Sequence, residues 1–468
     1  MNISSQENFE NDNPKPKKKN RFEDEFNMLK QRLTEEGIDL SSIEGLEEIA
    51  NFYLEHHKYI EALRMANDVL KLIPYSAEAW MRKGMILNSM RRHNEALECF
   101  TQANTIDPTD AFIYINRGLT LDNLRQYEEA IDNFDHALIL DDENEDALLN
   151  KAISLEHLEQ FPHAEEILTQ LVEKNPEHRE AWYELAFCYD LMERYEDAIR
   201  SYDTYINFAP FDAEAWYNRG IALSRLGKFG LAIESYDMSL AINDKFSSAY
   251  YNKGNALANL GKLVDALDNY KEALTLEPKD LSVWFNLGNA YDELGQFKDA
   301  IRCFSEALTI DSEHWDSYFA RGCCNEALEE HQKALNDYNK ALSLCNDNGE
   351  IWYAKAEVEY CLGKWRDSLS SYKTALEFEP ENGDIWFDYG ETLFEFGFYQ
   401  GAQKAIEKSI ALIPYWAEPY YTRAKIFFLL RKTEDALASL LKSIALDPTK
   451  KELFERDFAP LNLSQILK

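Results

Sequence analysis

The sequence predicts an all-α solenoid of antiparallel helix hairpins, and three observations carry that expectation. The segments RGIALSRLGKFGLAIESYDMSLAI, KGNALANLGKLVDALDNYKEALTL and LGNAYDELGQFKDAIRCFSEALTI align without gaps, and their glycines Gly220, Gly254 and Gly288 lie 34 residues apart. The same period extends both ways through Ala62, Ala96, Ala130, Ala164, Ala198, Ala232, Ala266, Ala300 and Ala334, meets Ser368, and resumes at Ala402 and Ala436. Twelve repeats of 34 residues therefore fill residues 43–450 with no insertion or deletion. Within each period the apolar residues recur at helical spacing in two runs, parted by a turn and closed near the end by proline.

The elements follow in chain order. Residues 1–21 are polar and lysine-rich, and are expected to be a disordered basic lead. Residues 22–42 carry Phe22, Phe26, Leu29 and Leu33 at amphipathic spacing, as a helix capping the first repeat would. In each repeat, positions 4, 8 and 11 share one helical stripe and positions 20, 24 and 27 another. Small residues at 8 and 20 let the two helices approach, and aromatics fill the space between them. Gly227, Gly261, Gly295, Gly363 and Gly397 stand at position 15, where the first helix must end in a left-handed residue. Proline at position 32 stops the second helix. The fourth repeat lacks the aromatics, and the tenth carries Glu359 at position 11 and Ser368 at position 20; flexible joints and ordinary drift both remain open there. Residues 451–468, with Leu453, Phe454, Phe458 and Leu461 broken by Pro460, are expected to form a C-terminal cap. One such hairpin cannot bury its apolar faces alone, so neighbours must stack.

The pattern resembles the tetratricopeptide repeat: large at position 4 (Trp80, Trp182, Trp216, Trp284, Trp352, Trp386), aromatic at 24 (Phe100, Phe134, Tyr202, Tyr236, Tyr270, Phe304), proline at 32 (Pro74, Pro108, Pro176, Pro210, Pro278). The resemblance implies a right-handed superhelix whose inner, concave side is lined by the first helices. Positions 2, 6, 9 and 13 would then face a groove.

Position 6 holds Asn116, Asn150, Glu184, Asn218, Asn252 and Asn286 in successive repeats, and position 9 adds Asn255 and Asn289. Asparagine is a mediocre helix former, so its recurrence wants a reason. A carboxamide both donates and accepts, so a row of them can hold the backbone of an extended peptide while ignoring its side chains. The row resembles the asparagine ladder in the repeat domain of O-linked N-acetylglucosamine transferase, whose catalytic domain has no counterpart here; inheritance with the repeat is the plainer explanation. Tyr183, Tyr217, Tyr251 and Phe285 at position 5 flank the groove, and packing between helices is weighed there against contact with a ligand. Acids at position 2, among them Glu78, Asp146, Glu180, Glu214, Asp316, Glu350, Asp384 and Glu418, suit the helix dipole and would make the groove negative. The resemblance also suggests a carboxylate clamp of lysines and arginines, but position 5 is aromatic or apolar, so none is expected.

Composition narrows the function. Lysine and arginine number 49 against 84 acids, a formal charge of -35, which disfavours nucleic acid and anionic lipid. No run approaches a membrane span and the N-terminus has no apolar signal core. Seven scattered cysteines without a C-x-x-C pair suit free thiols in a reducing, cytoplasmic setting. No phosphate loop, G-x-S-x-G, H-E-x-x-H or metal-ligand spacing occurs, so neither enzyme chemistry, cofactor nor metal is expected. The expected function is a scaffold or adaptor holding extended, preferably basic, client segments in an acidic, asparagine-lined groove. The alternative is a regulatory or structural subunit of a fixed assembly that binds a folded partner surface. Self-association is left open, as is the role of Lys15, Lys17, Lys18, Lys19 and Arg21: a solvated tail, a segment folding back onto the groove, or a contact with RNA.

Overall fold

A computed structural model describes residues 21–457. Residues 1–20 of the expected lead and the cap residues Phe458, Pro460 and Leu461 lie outside the described residues, whereas Arg21, assigned to the lead, begins the first helix. Among the described residues every regular element is a helix. Each of the twelve repeats is a hairpin of a 13-residue and a 14-residue helix, as in Ala213–Arg225 followed by Phe229–Ile242. The chain divides into two compact units, one ending at Phe211 and the other starting at Asp212. The first holds the helix Arg21–Glu35 and repeats one to five; the second holds repeats six to twelve and the helix Lys450–Asp457.

The punctuation is chemical. Ser76, Asp110, Asn144, Asp280 and Asn348 each accept a hydrogen bond from a backbone N–H of the helix they precede, and such a cap contributes about 1 kcal/mol. Position 15 is left-handed in all twelve repeats, at five glycines and also at His57, Arg91, Arg125, Glu159, Glu193, Glu329 and Arg431. The backbone demand is thus general, and seven repeats meet it without glycine. Where position 4 is tryptophan, its indole N–H donates to the carbonyl at position 32 of the repeat before: Trp80 to Pro74 at 3.0 Å, Trp182 to Pro176 at 2.9 Å, Trp386 to Pro380 at 2.9 Å. Proline stops one helix and its carbonyl anchors the next.

In six hairpins, those of repeats two, three and six to nine, the core is one ring against one bare backbone. A Cβ added to Gly254 would lie 2.6 Å from the Tyr270 ring, and one on Gly84 would lie 2.7 Å from Phe100. The rings at position 24 are fully buried from Phe100 and Phe134 to Tyr338 and Tyr372. Repeat four pairs Ala152 with buried Leu168 instead. In repeat ten Glu359 is buried, accepts from Ser371 Oγ at 2.7 Å and lies 3.7 Å from Lys355 Nζ, while the hydroxyl of Ser368 has no partner. Burial pushes the Glu359 carboxyl above its usual range. At the N-terminal end Phe22 and Phe26 stack on Phe52 and Tyr53, and Glu25 meets His56 at 2.8 Å.

Candidate functional site

The first helices of the second unit bring position 6 of one repeat against positions 5 and 9 of the repeat before it. Asn252 Nδ2 donates to the Tyr217 hydroxyl at 2.8 Å. One repeat later Asn286 Nδ2 donates to the Tyr251 hydroxyl and to Asn255 Oδ1, both at 3.0 Å. Asn255 Oδ1 also accepts from the Tyr270 hydroxyl at 2.8 Å. These bonds fix which way each carboxamide faces. Asn286 has both amide hydrogens engaged and its oxygen uncommitted; Asn255 has its oxygen doubly engaged and its two N–H donors uncommitted. Asn255, Asn259, Asn286, Asn289 and Glu293 line an open pocket of about 420 Å³, and Asn289 is half-buried there. Asn218 is half-buried at the same register in repeat six.

Sequence reasoning missed the hydroxyls that orient the ladder. The signal was present as tyrosine at position 5 immediately before asparagine at position 6, recurring at the repeat period, but its meaning depends on the offset between neighbouring hairpins. The flank residues also pack: Tyr217 lies 6.0 Å from Tyr236 and 4.6 Å from Phe246, Tyr251 is 6.2 Å from Tyr270, and Phe285 is 5.7 Å from Phe304. In the first unit Tyr183 meets Tyr202 and Tyr205 in the same manner. Two ladder residues there behave differently. Asn116 Nδ2 donates to Phe112 O at 2.8 Å and Asn150 Nδ2 to Asp146 O at 2.7 Å, so each spends a donor on its own helix.

Farther along the second unit positions 6 and 9 carry the carboxylates Asp388, Glu357 and Glu391, and Glu326 stands one turn on at position 12. The Tyr353 hydroxyl donates to Asp388 at 2.7 Å, Tyr372 to Glu357 at 2.7 Å, Tyr338 to Glu326 at 2.6 Å, and Thr422 to Glu391 at 2.8 Å. Burial pushes Asp388 up to about 6, against the Tyr353 bond that lowers it and with the negative charges of Glu357, Glu391 and Asp384 adding to the rise. Several position 2 acids are paired: Glu78 with Arg82 at 2.7 Å, Glu180 with Arg179 at 2.8 Å, and Glu418 with Lys450 at 2.6 Å. Among the described residues no group of three or more His, Cys, Asp or Glu side chains is placed to hold a metal ion, and no helix is long and apolar enough to cross a membrane. All seven cysteines are free, with Cys99, Cys188, Cys303 and Cys324 buried and Cys361 exposed.

Models of the tetratricopeptide repeat match residues 77–110, 99–132, 158–219, 213–246, 282–314, 316–348, 353–416 and 417–450, and a TPR-repeat model matches 254–295. No curated protein matches the chain in sequence. Among solved structures the chain is similar to the APC/C hetero-tetramer Cut9-Hcn1, at 12% identity over 91% of this chain and 97% of that one, with a TM-score of 0.41. It is similar to the C-terminal part of a TPR repeat-containing protein from Cytophaga hutchinsonii, at 20% identity over 51% and 97%, TM-score 0.45. It is also similar to YrrB, a TPR protein with an unusual peptide-binding site, at 22% identity over 41% and 98%, TM-score 0.38.

Proposed function

The chain belongs to the tetratricopeptide-repeat family, and from that premise we propose that it is a non-enzymatic scaffold holding extended client segments on the first-helix face of repeats six to eight. The observation that carries this reading is the complementary pair at Asn255 and Asn286, one presenting amide donors and the other an amide oxygen beside one pocket. A peptide unit presents one carbonyl and one N–H, and the pair answers both without reading a side chain. Asn218, Asn252 and Asn289 extend the row. Glu293 in the pocket wall favours a basic client, whose affinity falls with added salt. Free, mostly buried thiols suit the cytoplasm as the setting.

The test compares wild type with Asn218→Ala/Asn252→Ala/Asn286→Ala and with Asn255→Asp in pull-downs from native lysate, read by mass spectrometry. Asn255→Asp keeps the shape and both accepted bonds but removes the donors. Loss of clients from both variants, with helicity and melting unchanged, supports the groove. Retention of the same partners at full stoichiometry rejects it and makes the asparagines an inherited feature of the repeat.

A further inference from the structure

On a different face of the second unit the cation of position 7 is replaced twice, by Leu287 in repeat eight and by Tyr389 in repeat eleven. Position 7 of the first helix is a cation in most repeats, lying over the position 4 ring and strapping neighbouring helices. Arg219 lies 5.7 Å from the Trp216 ring and donates to Ser235 at 2.6 Å; Arg321 lies 5.4 Å from the Tyr318 ring and forms two bonds to Asp337 and one to Ser305; Arg423 lies 5.2 Å from the Tyr420 ring and donates to Ser439 at 3.0 Å. Lys253 reaches Asp237 on the second helix of the preceding repeat at 2.7 Å. Arg321 thus ties the second helices of two successive repeats together.

Repeat eleven has lost the strap on every side. Position 7 is Tyr389; the position that supplies Asp237 or Ser305 elsewhere is Lys373, and the one that supplies Ser235, Asp337 or Ser439 is Ala405. An open cleft of about 830 Å³ remains between the helices Trp365–Phe378 and Tyr399–Leu412, floored by Trp386, Tyr389 and Leu393 of the helix Gly383–Glu395. Lys373, Lys404 and Lys408 stand exposed on its rim with Glu377 and Glu407. None of these three lysines forms an ion pair with a described residue, although the chain carries a formal charge of -35.

We infer that this cleft docks an amphipathic helix of a partner protein whose apolar side chains are flanked by carboxylates. An apolar, partly aromatic floor under a rim of three unpaired lysines and two glutamates leaves the mouth net positive, which favours that charge pattern. The walls are helices with no free strand edge, so an extended segment laid there would bury unpaired backbone groups, whereas a helix satisfies its own. The Tyr389 hydroxyl makes no hydrogen bond within the described residues and is available to the incoming helix.

The probe is a fluorescein-labelled synthetic peptide with leucines at helical spacing between glutamates, and its counterpart with lysines for the glutamates, titrated against the full chain by anisotropy. Saturable binding of the acidic peptide is expected, weakened at least about tenfold by Lys404→Glu/Lys408→Glu and by Tyr389→Arg, the second restoring the strap cation of repeats six, nine and twelve. Both variants change exposed or half-exposed side chains, and circular dichroism checks that helicity is kept. Equal binding to wild type and variants, or preference for the lysine peptide, overturns the proposal. So does a concentration-dependent dimer that binds no peptide and that Tyr389→Arg dissociates, because the face would then belong to a second copy of the chain.

Discussion

Repeats six to eight and repeats nine to eleven of the second unit use one hydrogen-bonding frame with two chemistries. In both, a position 5 tyrosine reaches position 6 of the next repeat and a position 24 tyrosine reaches position 9 of its own: Tyr251 to Asn286 and Tyr270 to Asn255 in one region, Tyr353 to Asp388 and Tyr372 to Glu357 in the other. The carboxamides are neutral and retain donors and acceptors for a ligand. The carboxylates accept only, and they crowd charge where water is scarce, so Asp388 rises to about 6. The hairpin geometry sets where the side chains meet, and a single functional-group exchange sets whether the face presents neutral donors and acceptors or titratable carboxylates.

The largest effect should come from the feature both regions share. Gly254→Val and Gly322→Val each place a branched side chain into the ring below, Tyr270 in one case and Tyr338 in the other. Each should cost about 3 kcal/mol, since overpacking forces the ring or the helix to move. Urea midpoints and amide exchange of the two hairpins measure this. A loss in one region alone would mean that the frames differ, and the comparison would fail.

The next pair separates the chemistries. Asp388 has a folded value of about 6 against 3.8 for the free group, so between those limits the folded chain binds more protons than the unfolded one. Stability therefore falls as pH rises through that window, and the carboxylate opposes folding fully above it. Asp388→Asn should be neutral below about pH 4 and stabilising by up to about 3 kcal/mol above about pH 6. Thermal melts across the range check the slope, and a gain of equal size at all pH values would remove titration from the explanation.

Removing the tyrosine hydroxyls sharpens this further. Tyr251→Phe leaves Asn286 one acceptor fewer and should cost about 1 kcal/mol at every pH. Tyr353→Phe takes from Asp388 the bond that lowers its pKa, so its window moves upward and its cost of about 1 kcal/mol appears only where the carboxylate is charged. Two parallel pH profiles would contradict that division.

Much of the fold was legible because the repeat encodes contacts within one hairpin. Glycine or alanine at position 8 opposite a ring at 24, proline at 32 and the first-helix boundary are local, and the ring and the proline each recur in eight of the twelve repeats. Two things were not legible. The orientation of Asn255 and Asn286 depends on side chains from adjacent hairpins meeting at a particular offset, which periodicity does not specify. The cleft at repeat eleven is not announced by any one residue: Lys373, Tyr389 and Ala405 replace three strap partners, but Lys271, Leu287 and Cys303 do the same at repeat eight. The left-handed residue at position 15 was read only where glycine marked it, and seven other residues adopt the same backbone.

That last point yields the smallest effect and sets repeat nine apart from its neighbours on both sides, since repeats ten and eleven use Gly363 and Gly397. Repeats six to eight meet the turn with Gly227, Gly261 and Gly295, whereas repeat nine uses Glu329 at a φ of 61°. A non-glycine residue there costs about 1–2 kcal/mol in backbone strain, and glycine returns about 0.4–1 kcal/mol of that through the freer unfolded chain. Glu329 is exposed, so little packing is lost on replacing it. Glu329→Gly should therefore stabilise by about 0.5 kcal/mol, while Gly295→Ala should destabilise by about 1 kcal/mol, both read from urea midpoints. If Glu329→Gly instead lowers the midpoint, the glutamate stabilises this turn through its side chain, and repeat nine differs from the middle repeats in its turn as well as in the side chains it presents.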